Sequence, residues 1–504
     1  MLEFKNITIT LNNSERTLID NLSLTLKDKD KAVIIGEEGN GKSTLLRAIY
    51  QPDLIKSYCD FSGKIVTSQT MAYLPQNLDI ASNDDISLSD FFETSEYYLY
   101  IDILEEIGLS VEFILSNQKL STLSGGEKIK VHLAKLLMTN PDILLLDEPT
   151  NDLDVTTLKW LESFINNSKK TILYISHDEK LIENTATTII HIEQIDRKEK
   201  CRITVSNCSY KDYILFRYNK FLHQEQVAQK QRDNYYNQME KWQRIYNRVN
   251  YEQATISRKD PSGGRLLKKK MHSVLSIGKR FEKEKEKFID FPQQEEASLI
   301  KFNDSIQIPI GKIIIDLFIS ELSIDNKILS HDIKLFVCGQ EHIGIIGRNG
   351  IGKSTLLSII WEKLKNRKDI IPFYMPQNYA KILDYDKTAL QYLTDCFQKD
   401  EVTKARIFMG SMRFTHEEMI SKIADISGGQ KAKLIFLSMI LHKANVLILD
   451  EPTRNFSPLS NPALRKALIN FKGAIISVSH DRKYLEEVCD KIYELTEKGL
   501  FLVK

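Results

Sequence analysis

Five short motifs occur twice in this chain, in the same order and at nearly the same separation. The stretch Gly36-Glu37-Glu38-Gly39-Asn40-Gly41-Lys42-Ser43-Thr44 returns as Gly347-Arg348-Asn349-Gly350-Ile351-Gly352-Lys353-Ser354-Thr355. Leu-Pro-Gln76 returns as Met-Pro-Gln377, and Ser124-Gly125-Gly126 as Ser427-Gly428-Gly429. Asp147-Glu148-Pro-Thr150 returns as Asp450-Glu451-Pro-Thr453, and Ser176-His177-Asp178 as Ser479-His480-Asp481. The separation is 311 at the lysines (353 − 42) and 303 at the serines (427 − 124), glutamates (451 − 148) and histidines (480 − 177). A shared 303 makes the later part of each half collinear and confines net length differences to the region after the first motif. Such a repeat means two copies of one domain.

Each copy reads as α/β. Ala32–Gly36 and His342–Gly347 are short apolar runs that enter a Gly-rich turn, and Asp142–Asp147 and Asn445–Asp450 are continuous apolar runs of the kind buried on both faces of a parallel sheet. From about residue 210 to 290 the pattern becomes long, charged and helical. The expected division is one domain at 1–208, a helical linker at 209–295 and a second domain at 296–504.

The chemistry these motifs fit is phosphate binding. In a Gly-x-x-x-x-Gly-Lys-Ser turn after a strand, backbone N–H groups wrap phosphates and the next helix N-terminus adds its positive end. Lys42 and Lys353 are placed to reach the β- and γ-phosphates, and Ser43 and Ser354 to bind Mg²⁺. In isolation the same residues would serve as a Gly-rich turn with an exposed lysine. Asp147 and Asp450 are the expected metal-side carboxylates, with Glu148 and Glu451 set to polarise the attacking water. Alone, each pair could equally cap a turn at a strand end. His177 and His480 follow strand ends at matched offset, where a side chain can meet a γ-phosphate.

Other classes are excluded by composition. No apolar run approaches the roughly 18 residues of a membrane span, and the N-terminus, with Glu3 and Lys5, lacks a signal core. The expected location is therefore cytoplasmic. Six cysteines are scattered with no C-x-x-C pair, which fits free thiols rather than a metal module.

The linker has its own pattern. Tyr235, Met239, Trp242, Tyr246 and Val249 are spaced 4-3-4-3, and Leu267, Met271, Val274, Gly278, Phe281, Lys285 and Phe288 continue that alternation. Heptad spacing on two helices, with Pro261-Ser-Gly263-Gly264 as the break, predicts an antiparallel hairpin whose aromatics pack in the seam. A first helix of about 40 residues would reach roughly 60 Å. Residues 241–280 hold eleven basic residues against Glu252 and Asp260, a local charge of 11 − 2 = +9 in a chain whose net charge is +1. A one-sign tip on a long lever fits a polyanion, RNA first, held by phosphate and shape contacts. The candidate contacts are Arg244, Arg248, Arg258, Lys259, Arg265, Lys268, Lys269, Lys270, Lys279 and Arg280.

Taken together, these motifs resemble the ATP-binding cassette ATPases, with Ser124-Gly125-Gly126 and Ser427-Gly428-Gly429 similar to that family's signature. The resemblance implies α/β architecture with two tandem ATP-binding cassettes joined by a long antiparallel α-helical hairpin. It also implies ATP and Mg²⁺ as ligands, and two composite sites in one monomeric chain. In one, Gly36 to Thr44, Gln76, Asp147, Glu148 and His177 would be closed by Ser427, Gly428 and Gly429. In the other, Gly347 to Thr355, Gln377, Asp450, Glu451 and His480 would be closed by Ser124, Gly125 and Gly126. Gln76 and Gln377 would join the metal shell, and both sites would hydrolyse ATP.

Two departures stand out. No aromatic occupies the early strand near Thr10–Asn12 or Ile324–Asn326, where the family stacks adenine, which leaves strict ATP preference over GTP open. Asn151-Asp-Leu-Asp154 of the first copy is replaced by Arg454-Asn455-Phe456-Ser457-Pro458, so the two sites are expected to differ.

Tandem cassettes without a membrane segment, joined by a charged helical linker, resemble the F-type (ABC-F) branch. Glu451 to Ser460 resembles its antibiotic-resistance, ribosome-protecting group; the stretch between Gln76 and Ser124 has no long helical insertion, unlike the housekeeping factors of the branch, and the sequence stops at Lys504 without the basic extension some relatives have. That implies the bacterial 70S ribosome as partner, through its E site, 23S ribosomal RNA and P-site transfer RNA. The hairpin would push on that transfer RNA and approach the peptidyl-transferase centre, displacing drug. A housekeeping translation factor of the same branch, the ATPase subunit of a drug exporter, and a DNA-maintenance cassette protein remain alternatives.

Overall fold

Short apolar runs ending in Gly or Asp become strands buried on both faces, and each copy builds its main sheet around them. The computed structural model describes the chain apart from residues 13–15, 79–85, 93–99, 152, 197, 257–260, 293–301, 303–306, 325–326 and 395–400. The first copy holds β1 (Leu2–Leu11), β2 (Thr17–Leu26), β3 (Lys31–Ile35), β4 (Cys59–Val66), β5 (Met71–Leu74), β6 (Ile143–Asp147), β7 (Thr171–Ile175), β8 (Thr188–Ile195) and β9 (Lys200–Ser206). The second holds β10 (Ile313–Ile324), β11 (Lys327–Cys338), β12 (His342–Ile346), β13 (Pro372–Met375), β14 (Val446–Asp450), β15 (Ala474–Val478), β16 (Lys491–Thr496) and β17 (Gly499–Leu502).

The two main sheets share one topology. Their strand orders are β5-β6-β7-β3-β8-β9 and β13-β14-β15-β12-β16-β17, parallel except for the last pair. Every residue of β3, β6, β7, β14 and β15 is buried. The smaller sheets differ: β2-β1-β4 in the first copy, but only β10-β11 in the second. The second copy runs from helix Lys353–Leu364 almost directly into β13, with no counterpart of β4. This is where its length shortfall lies, since the separation drops from 311 at the lysines to 301 at the glutamines (377 − 76).

The chain divides into two compact units, Met1–Tyr210 with Glu295–Lys504, and Lys211–Gln294. The second unit is helical. Tyr210–Thr255 has 46 residues, about 70 Å at 1.5 Å each, and Pro261–Lys285 has 25. The predicted seam forms: Val249, Val274 and Phe281 are buried, and the Trp242 indole N–H donates to the Val274 carbonyl at 2.8 Å. Tyr235 meets Phe281 and Phe288 edge-on, with ring centroids 6.5 and 5.4 Å away. Two details depart from expectation. Pro261 to Gly264 is the first turn of the second helix, not the break, because proline at the first helical position forfeits no hydrogen bond. Lys285 is exposed, outside the seam. No helix among the described residues is long and apolar enough to cross a membrane.

Candidate functional site

The parallel sheets bring the motifs together. With β5, β6, β7 and β3 adjacent and in register, Gln76, Glu148, His177 and Gly36 all leave the same carboxyl-end edge, and the second copy repeats this with Gln377, Glu451, His480 and Gly347. At that edge an α/β sheet binds its ligands. Gly36 and Gly347 both have φ 152°, and a Cβ there would lie 2.3 Å from the Ile192 carbonyl oxygen or 2.6 Å from that of Leu495, so only glycine fits.

In the first cleft Lys42 Nζ lies across the loop, donating to the Gly36 and Glu37 carbonyls at 2.9 and 3.0 Å. Ser43 Oγ donates to Asp147 at 2.8 Å and the Tyr73 hydroxyl to its other oxygen at 3.0 Å. Glu148 is held by three groups: Gln76 Nε2 and Asn151 Nδ2, each at 2.9 Å, and His177 Nε2 at 3.2 Å. Burial alone would raise the Glu148 carboxyl, but His177, Lys42 and Asn151 outweigh it and hold it down at about 2. A cavity of about 270 Å³ opens here, lined by Glu38, Gly39, Gly41, Lys42, Ser43 and Thr44 with Gln76, Glu148 and His177.

The second cleft repeats the outline with different electrostatics. Lys353 Nζ donates to the Gly347 and Arg348 carbonyls at 2.8 and 2.9 Å and lies 3.5 Å from Asn349 Oδ1. Asp450 accepts from the Ser354 hydroxyl and the Gln377 backbone N–H. Glu451 Oε1 is buried with no hydrogen-bond partner among the described residues and lies 3.8 Å from His480 Nε2, although the side chain as a whole is no less exposed than that of Glu148. Burial therefore dominates and pushes Glu451 up to about 8, while burial and the Lys353 charge push His480 down to about 4. The cavity is larger, about 470 Å³, and includes Gly125, Gly350, Gly352, Lys353, Ser354, Thr355, Gln377, Asp450, Glu451 and His480.

Some residues expected at a ligand have other partners. Asn40 is buried and donates to the Ile192 carbonyl, and Ile351 packs on a hydrophobic core. Ser124 and Ser427 close capping boxes with Glu127 and Gln430 at the starts of helices Gly125–Met138 and Gly428–Leu441. A Cβ on Gly126 would lie 2.8 Å from Thr157 Oγ1, which makes that glycine a packing requirement. The Glu37 side chain turns to the other copy: it accepts from Ser457 at 2.6 Å and from Ser460, and pairs with Lys433 at 3.4 Å. Glu38 also crosses, accepting from the backbone N–H of Gly428 at 3.2 Å and of Gly429. Loop one thus meets the Ser427-Gly428-Gly429 turn of the second copy directly.

Oxygen donors such as Ser43 with Asp147, and Ser354 with Asp450, have the hard chemistry Mg²⁺ takes. The basic residues Arg244, Arg248, Arg265, Lys268, Lys269, Lys270, Lys279 and Arg280 are all exposed; Arg258 and Lys259 lie outside the described residues. Arg244, Arg248 and Arg280 pair with Glu240, Glu252 and Glu284 at i,i+4, contacts worth at most about 1 kcal/mol each at an exposed surface.

Residues 19–151 and 330–454 match the family model described as ABC transporter, once in each copy. The chain belongs to this family of ATP-binding cassettes. Over 99% of its length the chain is 27% identical to the ATP-binding protein Uup of Buchnera aphidicola subsp. Acyrthosiphon pisum, covering 81% of that protein. It is 26% identical, over 96% of its length, both to the putative ATP-binding protein YdiF of Bacillus subtilis (78% covered) and to ABC transporter F family member 2 of Arabidopsis thaliana (75% covered). The archaeal ribosome recycling factor aABCE1, solved with the stalk protein aP1, superposes with a TM-score of 0.59 at 14% identity over 99% of this chain and 90% of that one. The fold is thus two tandem ABC cassettes with α/β sheets and a helical insert.

Sequence reading missed the groups that finish the first cleft. Tyr73 on Asp147 and Asn151 on Glu148 lie close to motifs and were within reach of it. Lys433, Ser457 and Ser460 were not, for they meet Glu37 across separations of 396, 420 and 423 residues.

Proposed function

We propose that the chain is an ABC-F ATPase that binds the ribosome with its cassettes closed on ATP and uses the interdomain hairpin to act on the P-site transfer RNA and peptidyl-transferase centre, displacing bound antibiotics. The observation that carries this reading is the direct seating of the Ser427-Gly428-Gly429 turn on the first phosphate loop, which makes a composite site inside one chain. The exposed basic hairpin and the likeness to an F family member support it. ABCE1 described as ribosome-bound together with archaeal Pelota shares the fold, with a TM-score of 0.57 at 15% identity.

In this reading Lys42, Lys353 and the loop N–H groups hold the phosphates, while Gly428 and Gly429, or Gly125 in the second site, approach from the opposite cassette. Glu148, fixed by Gln76, Asn151 and His177, is ionised at neutral pH and accepts the proton of the attacking water. Mg²⁺, held by Ser43 with Asp147 and by Ser354 with Asp450, would neutralise phosphate charge. Hydrolysis then releases the protein from the ribosome.

The test is co-sedimentation of the Glu148→Gln/Glu451→Gln protein with ribosomes. Pelleting in ATP but not without it is expected. Equal pelleting in both, or none with ATP binding confirmed, overturns ribosome binding by the ATP-closed state. Deleting residues 255–266 should then abolish drug protection while leaving pelleting intact; protection unchanged would remove the hairpin from the mechanism.

A further inference from the structure

The two phosphate loops differ where they face the opposite cassette: Glu37 and Glu38 in the first, Arg348 and Asn349 in the second. Glu38 places its carboxylate on the backbone N–H groups of Gly428 and Gly429, the first residues of helix Gly428–Leu441. An anion is stabilised there by two donors and by the helix's positive end. A Cβ on Gly428 or Gly429 would lie 3.1 Å from a Glu38 carboxylate oxygen, so the carboxylate fills the space directly over these N–H groups. Glu38 itself lines the 270 Å³ cavity with Lys42, Ser43 and Glu148. Glu37 anchors the same loop segment to Lys433, Ser457 and Ser460. Ser457 stands at the position of Asp154, in the stretch where the second copy departs from the first, and Ser460 follows three residues later.

We propose that Glu38 is a built-in occupant of the anion position that the second cassette offers to a nucleotide's terminal phosphate, and that it sets the triphosphate-to-diphosphate preference of the first site. This rests on the reading that the first cleft binds nucleotide. Two N–H donors cannot serve a carboxylate and a phosphoryl group together. A nucleoside triphosphate must therefore displace Glu38 to reach Gly428 and Gly429, whereas a diphosphate, one phosphoryl group shorter, leaves it in place. The second site carries no carboxylate at either loop position and lacks this competition.

The experiment measures binding of ADP and of a non-hydrolysable ATP analogue to the full chain by calorimetry. Lys353→Ala silences the second site, and Glu38 is kept, changed to Gln or changed to Ala. The expected result is about tenfold tighter binding of the triphosphate analogue with Ala and a smaller gain with Gln, which keeps an acceptor but loses the charge, while ADP changes less than twofold. Equal shifts for both nucleotides, no shift, or weaker triphosphate binding would overturn the proposal. If the Lys353→Ala chain bound neither nucleotide while a Lys42→Ala chain still bound both, the nucleotide reading of the first cleft would fail, and the proposal with it.

Discussion

Glu148 and Glu451 occupy the same motif and the same strained backbone, with φ 50° and 53°, in the left-handed region that costs a non-glycine residue about 1–2 kcal/mol. In both copies that turn swings the carboxylate off the strand end towards the histidine. Their neighbours then separate them. Gln76 and Asn151 donate to Glu148, whereas Arg454 stands at the position of Asn151 in the second copy and Gln377 uses its backbone N–H on Asp450 instead. With phosphate release measured at neutral pH, Glu148→Gln should cost the first site about a hundredfold or more, the usual range for removing a positioned base, and Glu451→Gln should cost the chain less. A larger loss from Glu451→Gln would reverse this assignment. Glu37 supplies a second prediction. Burial raises its carboxyl, but Lys433, Ser457, Ser460 and Lys42 outweigh this and bring it down from 4.5 to about 2. A carboxyl depressed on folding stabilises above its unfolded pKa, and the contribution, on the order of 3 kcal/mol, fades as pH falls from about 4.5 towards 2. The urea stability of wild type over Glu37→Gln should accordingly be constant from pH 6 to 8 and shrink below about 4.5.

Among the elements, the hairpin shows what sequence pattern can and cannot convey. Its seam was legible because heptad spacing repeats a local geometric fact: residues three and four apart share a helix face. Its turn was misplaced because proline and glycine mark a break only when they fall inside a helix, and Pro261 falls at a start. The motif loops were legible for a similar reason, since strand and Gly-rich turn lie within a few residues of each other. The serine partners of Glu37 were not, because nothing local in Glu-Glu records a serine some 420 positions away. Gly278 tests the seam. A Cβ there would lie 2.9 Å from the Trp242 ring, so Gly278→Val should lower hairpin stability by about 1–3 kcal/mol, as overpacking does, with loss of helical signal at lower urea. Unchanged unfolding would mean the two helices do not hold this register.

At the scale of the whole molecule, the two cassettes are joined by charges arranged mostly one way. Arg465, Arg482 and Lys483 of the second copy face Glu162, Asp178, Glu179 and Glu183 of the first. The Arg465–Glu179 pair is almost fully buried at 2.5 Å, and burial raises the Glu179 carboxyl. Removing one partner of a buried pair strands the other, so Arg465→Met should destabilise the cassette unit by about 3 kcal/mol, with Lys483 limiting the loss. Adding Glu179→Met should recover much of it; a double variant no better than the single would show that packing, not charge, is at stake.

Duplication within one chain has a consequence of its own. In a pair of identical subunits related by a twofold axis, a loop glutamate and its serine partners would appear in both clefts, and any change would be made twice. Here the two faces are encoded separately, so Glu37 meets Ser457 and Ser460 on one side while Arg348 occupies the matching place on the other. Different contacts therefore hold the two loops, and a substitution can alter one cleft while leaving the other as it was.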